Sequence, residues 1–263
     1  MNNKAKRSIP GGAAIVAIAI YGSAPVTASA ATIWDLSGSG SCVNCGINGG
    51  TRSYTVSGQT LTASAWSDTG TGSPRVLETA VLGSYSGGLG VTNQDASSGQ
   101  DLNESGSPEH AVDNDGRYDS IRFDFGAGNA AKLTRIRFGW ISGDADFSIL
   151  YSAGGAMSPN LNYGDLQGNG WSLLGNYAAN DSGTWFNLGN NSYFARYWLV
   201  VAYNPVFVGS CTNVGGDSVC ADGNDHFKLN GAKGDWQRVP EPGTLALLGL
   251  GLAGLGLARR RRG

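Results

Sequence analysis

Apolar and polar positions alternate over short stretches of this chain. Ile121, Phe123 and Phe125 alternate with Arg122 and Asp124. Ile136, Phe138 and Trp140 stand against Arg135 and Arg137, and Phe147, Ile149 and Tyr151 against Ser148 and Leu150. A period of two predicts strands that show one apolar face to a core. Tyr54 and Val56 on one side and Leu61, Ala63 and Ala65 on the other flank Ser57-Gly58-Gln59, the pattern of a hairpin. The run Tyr197 to Tyr203 is apolar at both parities, which predicts a strand buried on both faces, and Phe227 and Leu229 predict a last one. About ten short strands follow from this pattern. Segments 38–50, 93–106 and 205–224 read as long loops, and 233–239 as a linker.

Composition supports the strand reading. Glycine is 42 of 263 residues, against roughly 7% in an average protein. Each glycine costs a helix interior about 1 kcal/mol relative to alanine, whereas tight turns use its positive φ. The expected fold is therefore all-β. For residues 31–232 we expect one antiparallel β-sandwich domain of jelly-roll type, flanked by an N-terminal signal helix and a C-terminal transmembrane helix.

The net charge of −2 hides an asymmetry. Setting aside Lys4, Lys6, Arg7 and Arg259 to Arg262 leaves 11 of the 18 basic residues, and setting aside Glu241 leaves 19 of the 20 acidic ones, so residues 31–239 carry a net −8. That balance argues against nucleic acid as a partner.

Both ends read as addresses. Lys4, Lys6 and Arg7 precede an apolar run from Ala13 to Ile20, and Ala28-Ser29-Ala30 offers an A-x-A cleavage site. Residues 1–30 are thus expected to be a signal peptide handled by the secretion machinery. At the other end, Pro240-Glu241-Pro242 precedes a Leu/Gly-rich stretch, 243–258, and then Arg259 to Arg262. Sixteen helical residues span about 24 Å, slightly short of a hydrocarbon core of about 30 Å, and snorkelling arginines cover the deficit. The arginines orient the chain with its domain outside the inner membrane. Gly249, Gly251 and Gly254 spell G-x-G-x-x-G there, but a nucleotide fingerprint needs a preceding strand and a later acidic residue that this tail lacks.

Segment 240–263 resembles the PEP-CTERM sorting signal of Gram-negative bacteria. The resemblance implies that an exosortase recognises Pro240, Glu241 and Pro242, cuts nearby after transient residence in the inner membrane, and passes the protein to the surface or extracellular matrix, often alongside exopolysaccharide. The middle of the chain is similar to a family of exosortase-dependent surface proteins through Gly87-Gly88-Leu89-Gly90-Val91, Pro108-Glu109-His110-Ala111-Val112-Asp113-Asn114, Asp119, Phe138-Gly139-Trp140 and Asp144 to Leu150. That family brings no enzymatic activity to carry over.

In an exported chain the four cysteines read first as disulfides. Three pairings are possible; Cys211 and Cys220 should staple a loop and Cys42 and Cys45 would form the second bond, although the C-x-x-C spacing of Cys42 and Cys45 also suits zinc or a redox couple. Asp113, Asp115 and Asp119 concentrate hard oxygen ligands that can hold calcium, although carboxylates capping a turn look the same in sequence. Asp144 and Asp146 read as solvated loop charges, and His110 as ordering the loop beside Asp113. Neither histidine sits in a nucleophile elbow or a zinc-protease helix, so no catalytic residue is assigned and a non-enzymatic role is expected. Trp140 and Trp198 fall on faces that read as buried. Trp171 and Trp185 lie in polar surroundings and are the candidates for stacking on sugar rings in a lectin-like module.

Overall fold

The computed structural model describes residues 31–95, 110–155, 157–215, 219–221, 223–239 and 250–251. The expected signal peptide, the Pro-Glu-Pro motif and nearly all of the expected membrane helix lie outside the described residues.

The described residues form fifteen strands: β1 (Thr32–Asp35), β2 (Ser41–Val43), β3 (Thr51–Val56), β4 (Gln59–Ser67), β5 (Glu78–Tyr85), β6 (Gly88–Thr92), β7 (Val112–Asp113), β8 (Asp119–Asp124), β9 (Asn129–Ile141), β10 (Phe147–Ser152), β11 (Ser172–Ala179), β12 (Trp185–Asn187), β13 (Tyr197–Ala202), β14 (Cys211–Gly215) and β15 (His226–Arg238). Two 3-10 turns, Tyr163–Asp165 and Gln167–Asn169, precede β11. The expected β3–β4 hairpin is present, with Ser57 and Gly58 both at positive φ.

All-β is what the alternation predicts, but the architecture is one continuous sheet. Its strand path runs β12-β9-β15-β6-β5-β4-β8-β13-β10-β11-β14, with β1 and β7 also on β15 and β2-β3 beside β4. β5 turns the corner: Glu78–Ala80 pair with β4 and Val81–Tyr85 with β6. The sheet is mixed rather than antiparallel, because β11 and β14 run parallel. It is nearly closed into a barrel-like shape, and the two ends of the path, β12 and β14, come into contact.

One core fills the interior. Trp34, Phe123, Phe138, Phe147, Phe186, Trp198 and Phe227 are buried there, drawn from strands of both halves of the path. A second apolar cluster lies on the outer side of β13 and β10, where Leu150, Leu199 and Val201 pack with Met157, Tyr163, Leu166, Trp171 and Phe207. β13 is therefore buried on both faces, as its unbroken apolar run implies.

Further sequence expectations change, among them the loops 38–50 and 205–224, which contain β2 and β14. Residues 233–239 are not a linker: Lys233 to Arg238 continue β15, paired through to Asn129 of β9, and Gly234 and Gly231 hid the alternation by supplying no side chain to read. Trp140 is half-buried rather than in the core. Gly139 is an extra residue in β9, since Phe138 pairs with Leu229 and Trp140 with Lys228, and such a bulge reverses the facing of all that follows. Trp171 is buried, at 2% exposure, in the second cluster.

Candidate functional site

At one end of the core four polar residues distant in sequence meet. Asp144 follows β9, Asp146 immediately precedes β10, Asp225 immediately precedes β15, and Asn114 follows β7. Oxygen atoms of Asp144, Asp146 and Asp225 lie within 4.8 Å of one another. Asp146 and Asp225 are fully buried and Asp144 is 9% exposed, so these are not the solvated loop charges that the sequence suggested.

The group ties strand ends together. The Asp225 carboxylate accepts from the Asp146 amide at 2.6 Å and from Asn114 Nδ2 at 2.6 Å, and the Asp225 amide donates to Asn114 Oδ1 at 3.0 Å. Asp146 accepts from the amides of Ala179 (3.1 Å) and Ala221 (2.8 Å), and Asp144 from that of Ala145 (2.8 Å). Burial, then the neighbouring charge of Asp146, pushes the Asp225 carboxyl up to about 9. Chemically the arrangement can hold one proton at neutral pH, and its oxygen set suits a hard divalent cation.

The residues expected to bind calcium lie on and between β7 and β8. Asp113 is buried in β7 and accepts from the Asp115 amide at 3.1 Å; Asp119 is buried at the start of β8, 3.4 Å from Asn93 Nδ2; and Asp115 lies 4.0 Å from His226 Nε2. Burial lowers the pKa of His226. His110 stacks on Tyr85 of β5 with ring centroids 5.0 Å apart and places Nδ1 2.8 Å from Oγ1 of Thr92 in β6.

Where β12 and β14 meet, the sheet leaves a cleft of about 480 Å³ lined by Tyr177, Trp185, Asn187, Leu188, Thr212 and Asn213, among others. Phe186 points into the core and so turns Trp185 and Asn187 outward, as strand alternation requires. The Arg137 guanidinium sits 4.9 Å from the Trp185 ring centroid. The far edge of the indole lies over Gly231, where a Cβ would come within 2.8 Å of it. Of the two tryptophans proposed to meet sugars, the fold brings only Trp185 to this cleft, half-exposed. Cys42 pairs with Cys45 beside β2, and Cys211 with Cys220 at the start of β14, with Cα atoms 5.9 and 5.7 Å apart.

Comparison with known proteins finds the PEP-CTERM protein-sorting motif at residues 238–262. No curated protein and no solved structure matches the chain. The motif starts at Arg238, the residue at which β15 ends, so the sorting segment follows the folded domain directly. The chain thus carries at its C-terminus the sorting motif of exported, exosortase-processed proteins.

Proposed function

We propose that this is a non-catalytic surface or extracellular-matrix protein. In this reading the signal peptide 1–30 directs export, the tail holds the chain briefly in the inner membrane, and an exosortase acts near Pro240-Glu241-Pro242 to release the barrel-like all-β domain to the cell surface. The observation that carries it is the sorting motif abutting the last strand. The buried aspartates fit this reading as structural groups, because they accept from main-chain amides and from Asn114 at strand ends. Fractionating the native host tests it: the wild-type protein should be found at the surface or in the medium, and a Glu241→Ala variant should stay in the inner membrane. Identical distributions would contradict the reading.

A second reading makes the domain a lectin-like module for exopolysaccharide. It is favoured by the cleft between β12 and β14, whose lining among the described residues combines the aromatic Trp185 with Asn187, Thr212 and Asn213 and includes no charged side chain. Aromatic faces stack on pyranose rings, and amides and hydroxyls pair with sugar hydroxyls. Retention on the host polysaccharide that Trp185→Ala abolishes would support it, and unchanged retention would contradict it.

A further inference from the structure

The outer face of the sheet next to this cleft is basic, although residues 31–239 as a whole carry a net −8. Strand register sets out two rows across it. Trp185 of β12 pairs with Arg137 of β9, which pairs with Gly231 of β15; Asn187 pairs with Arg135, which pairs with Lys233. Arg135 and Lys233 therefore stand about 5 Å apart across the strands, and Arg135 and Arg137 about 7 Å apart along β9. The inward neighbours Ile136 and Ala232 are buried in the core, which leaves these three cations outside.

Their surroundings leave them available. Arg75 and Arg117 reach Asp95, Arg196 bridges Asp124, and Lys132 bridges Asp235 at 2.7 Å. Among the described residues Arg135, Arg137 and Lys233 form no such ion pair; Arg137 instead donates to Asn230 Oδ1 at 2.8 Å and faces the Trp185 ring. Of the two acidic side chains among the described residues of this face, Asp235 is paired with Lys132, whereas Asp35, which accepts from Ser37 at 2.7 Å, keeps its charge and offsets part of that of Arg137 across Gly231, leaving the face net positive through Arg135 and Lys233. Gly231 keeps the floor beneath the indole clear.

We propose that the cleft and this basic face together bind a carboxylate-bearing polysaccharide, with sugar rings along Trp185 and Asn187 and their carboxylates against Arg135, Arg137 and Lys233. The inference rests on the glycan reading of the cleft and specifies the class of glycan. A neutral glycan would have no use for three cations set beside the cleft. A dense polyphosphate is disfavoured by the acidic remainder of the domain, whereas carboxylates spaced one to a sugar ring can be met locally, within a Debye length of about 8 Å.

The test measures binding of the full exported protein to polygalacturonate, to dextran and to duplex DNA in about 0.15 M salt. It compares wild type with Trp185→Ala and with Arg135→Gln/Lys233→Gln, each first shown to melt like wild type. Wild type should prefer polygalacturonate to dextran by at least about tenfold. The double variant should lose roughly tenfold on polygalacturonate with dextran binding unchanged, and Trp185→Ala should weaken both. Equal binding of the two polysaccharides, insensitive to the double variant, would overturn the anionic specificity while keeping the glycan reading. Binding to neither would overturn both. DNA bound as tightly as polygalacturonate would overturn the inference in favour of a general polyanion surface.

Discussion

Replacing Asp225 by Asn should change how stability depends on pH more than it changes stability itself. In the folded protein the Asp225 carboxyl is pushed up to about 9 from an ordinary 3.8 by burial and by the charge of Asp146. A carboxyl raised by folding favours the native state fully below its unfolded pKa, and this contribution declines as pH rises until the folded group ionises. The window is therefore about pH 4 to pH 9, and the slope within it is about 1.4 kcal/mol per pH unit. Two other groups act in its lower half. Asp68, raised to about 6 chiefly by burial, adds to the loss between about pH 4 and 6. Buried His226, whose pKa is lowered, acts in the opposite sense, because its neutral folded form gains as the unfolded imidazole loses its proton up to about pH 6.5. From about pH 7 to 8.5 only Asp225 of these three still titrates, so wild type should lose about 2 kcal/mol across that interval, or roughly 4–8 °C in Tm for a domain of this size. Calorimetry at several pH values reads this directly. Asp225→Asn should start lower, since its amide nitrogen meets Asn114 Nδ2 donor to donor, yet show little slope between those pH values. A flat wild-type profile, or an equal slope in the variant, would refute the assignment of the proton to Asp225.

The two tryptophans first grouped together should separate in stability measurements. Trp171→Ala removes a buried side chain of the second cluster and should cost about 3–5 kcal/mol, whereas Trp185→Ala should cost less than about 1 kcal/mol; urea melts of both variants check this, and equal losses would contradict the burial difference. The calcium expectation at Asp113, Asp115 and Asp119 is checked by melting: a rise in Tm with millimolar Ca²⁺ but not Mg²⁺, lost in Asp115→Asn, supports it, and identical melting in chelator contradicts it. Filling Gly139 with valine should be severely destabilising, by more than about 2 kcal/mol, because its Cβ would press on Asn230 and on the Gly87 carbonyl; a variant with wild-type Tm would contradict the bulge.

Strands whose pattern is local were legible in the sequence, and features made by distant partners were not. β13 declares itself because Trp198, Val200 and Ala202 face one core while Leu199 and Val201 face another, so no polar position interrupts the run. The cysteine pairs declare themselves by their short separations. Trp140 misled because a single extra glycine reverses the alternation, and a bulge has no signature at a glycine in a glycine-rich chain. The aspartate group was hidden for a different reason. Asn114 and Asp225 are 111 residues apart, and nothing near either one signals that β7 and β15 will be neighbours. Trp171 sits among polar residues in sequence, yet the 3-10 turns before it carry Tyr163 and Leu166 over the sheet and bury all three. The partial closure of the sheet, and with it the cleft beside Trp185, depends on the parallel β11–β14 pairing, which comes from a long connection rather than from any turn.

The most direct test is the intact mass of the protein recovered from its native host. Processing at both ends predicts a chain that begins near Ala31 and lacks the arginine cluster 259–262, and a Glu241→Ala variant that begins at the same residue but keeps the cluster. A wild-type mass that still includes residues 243–263 would contradict exosortase processing and leave a protein anchored through its own tail.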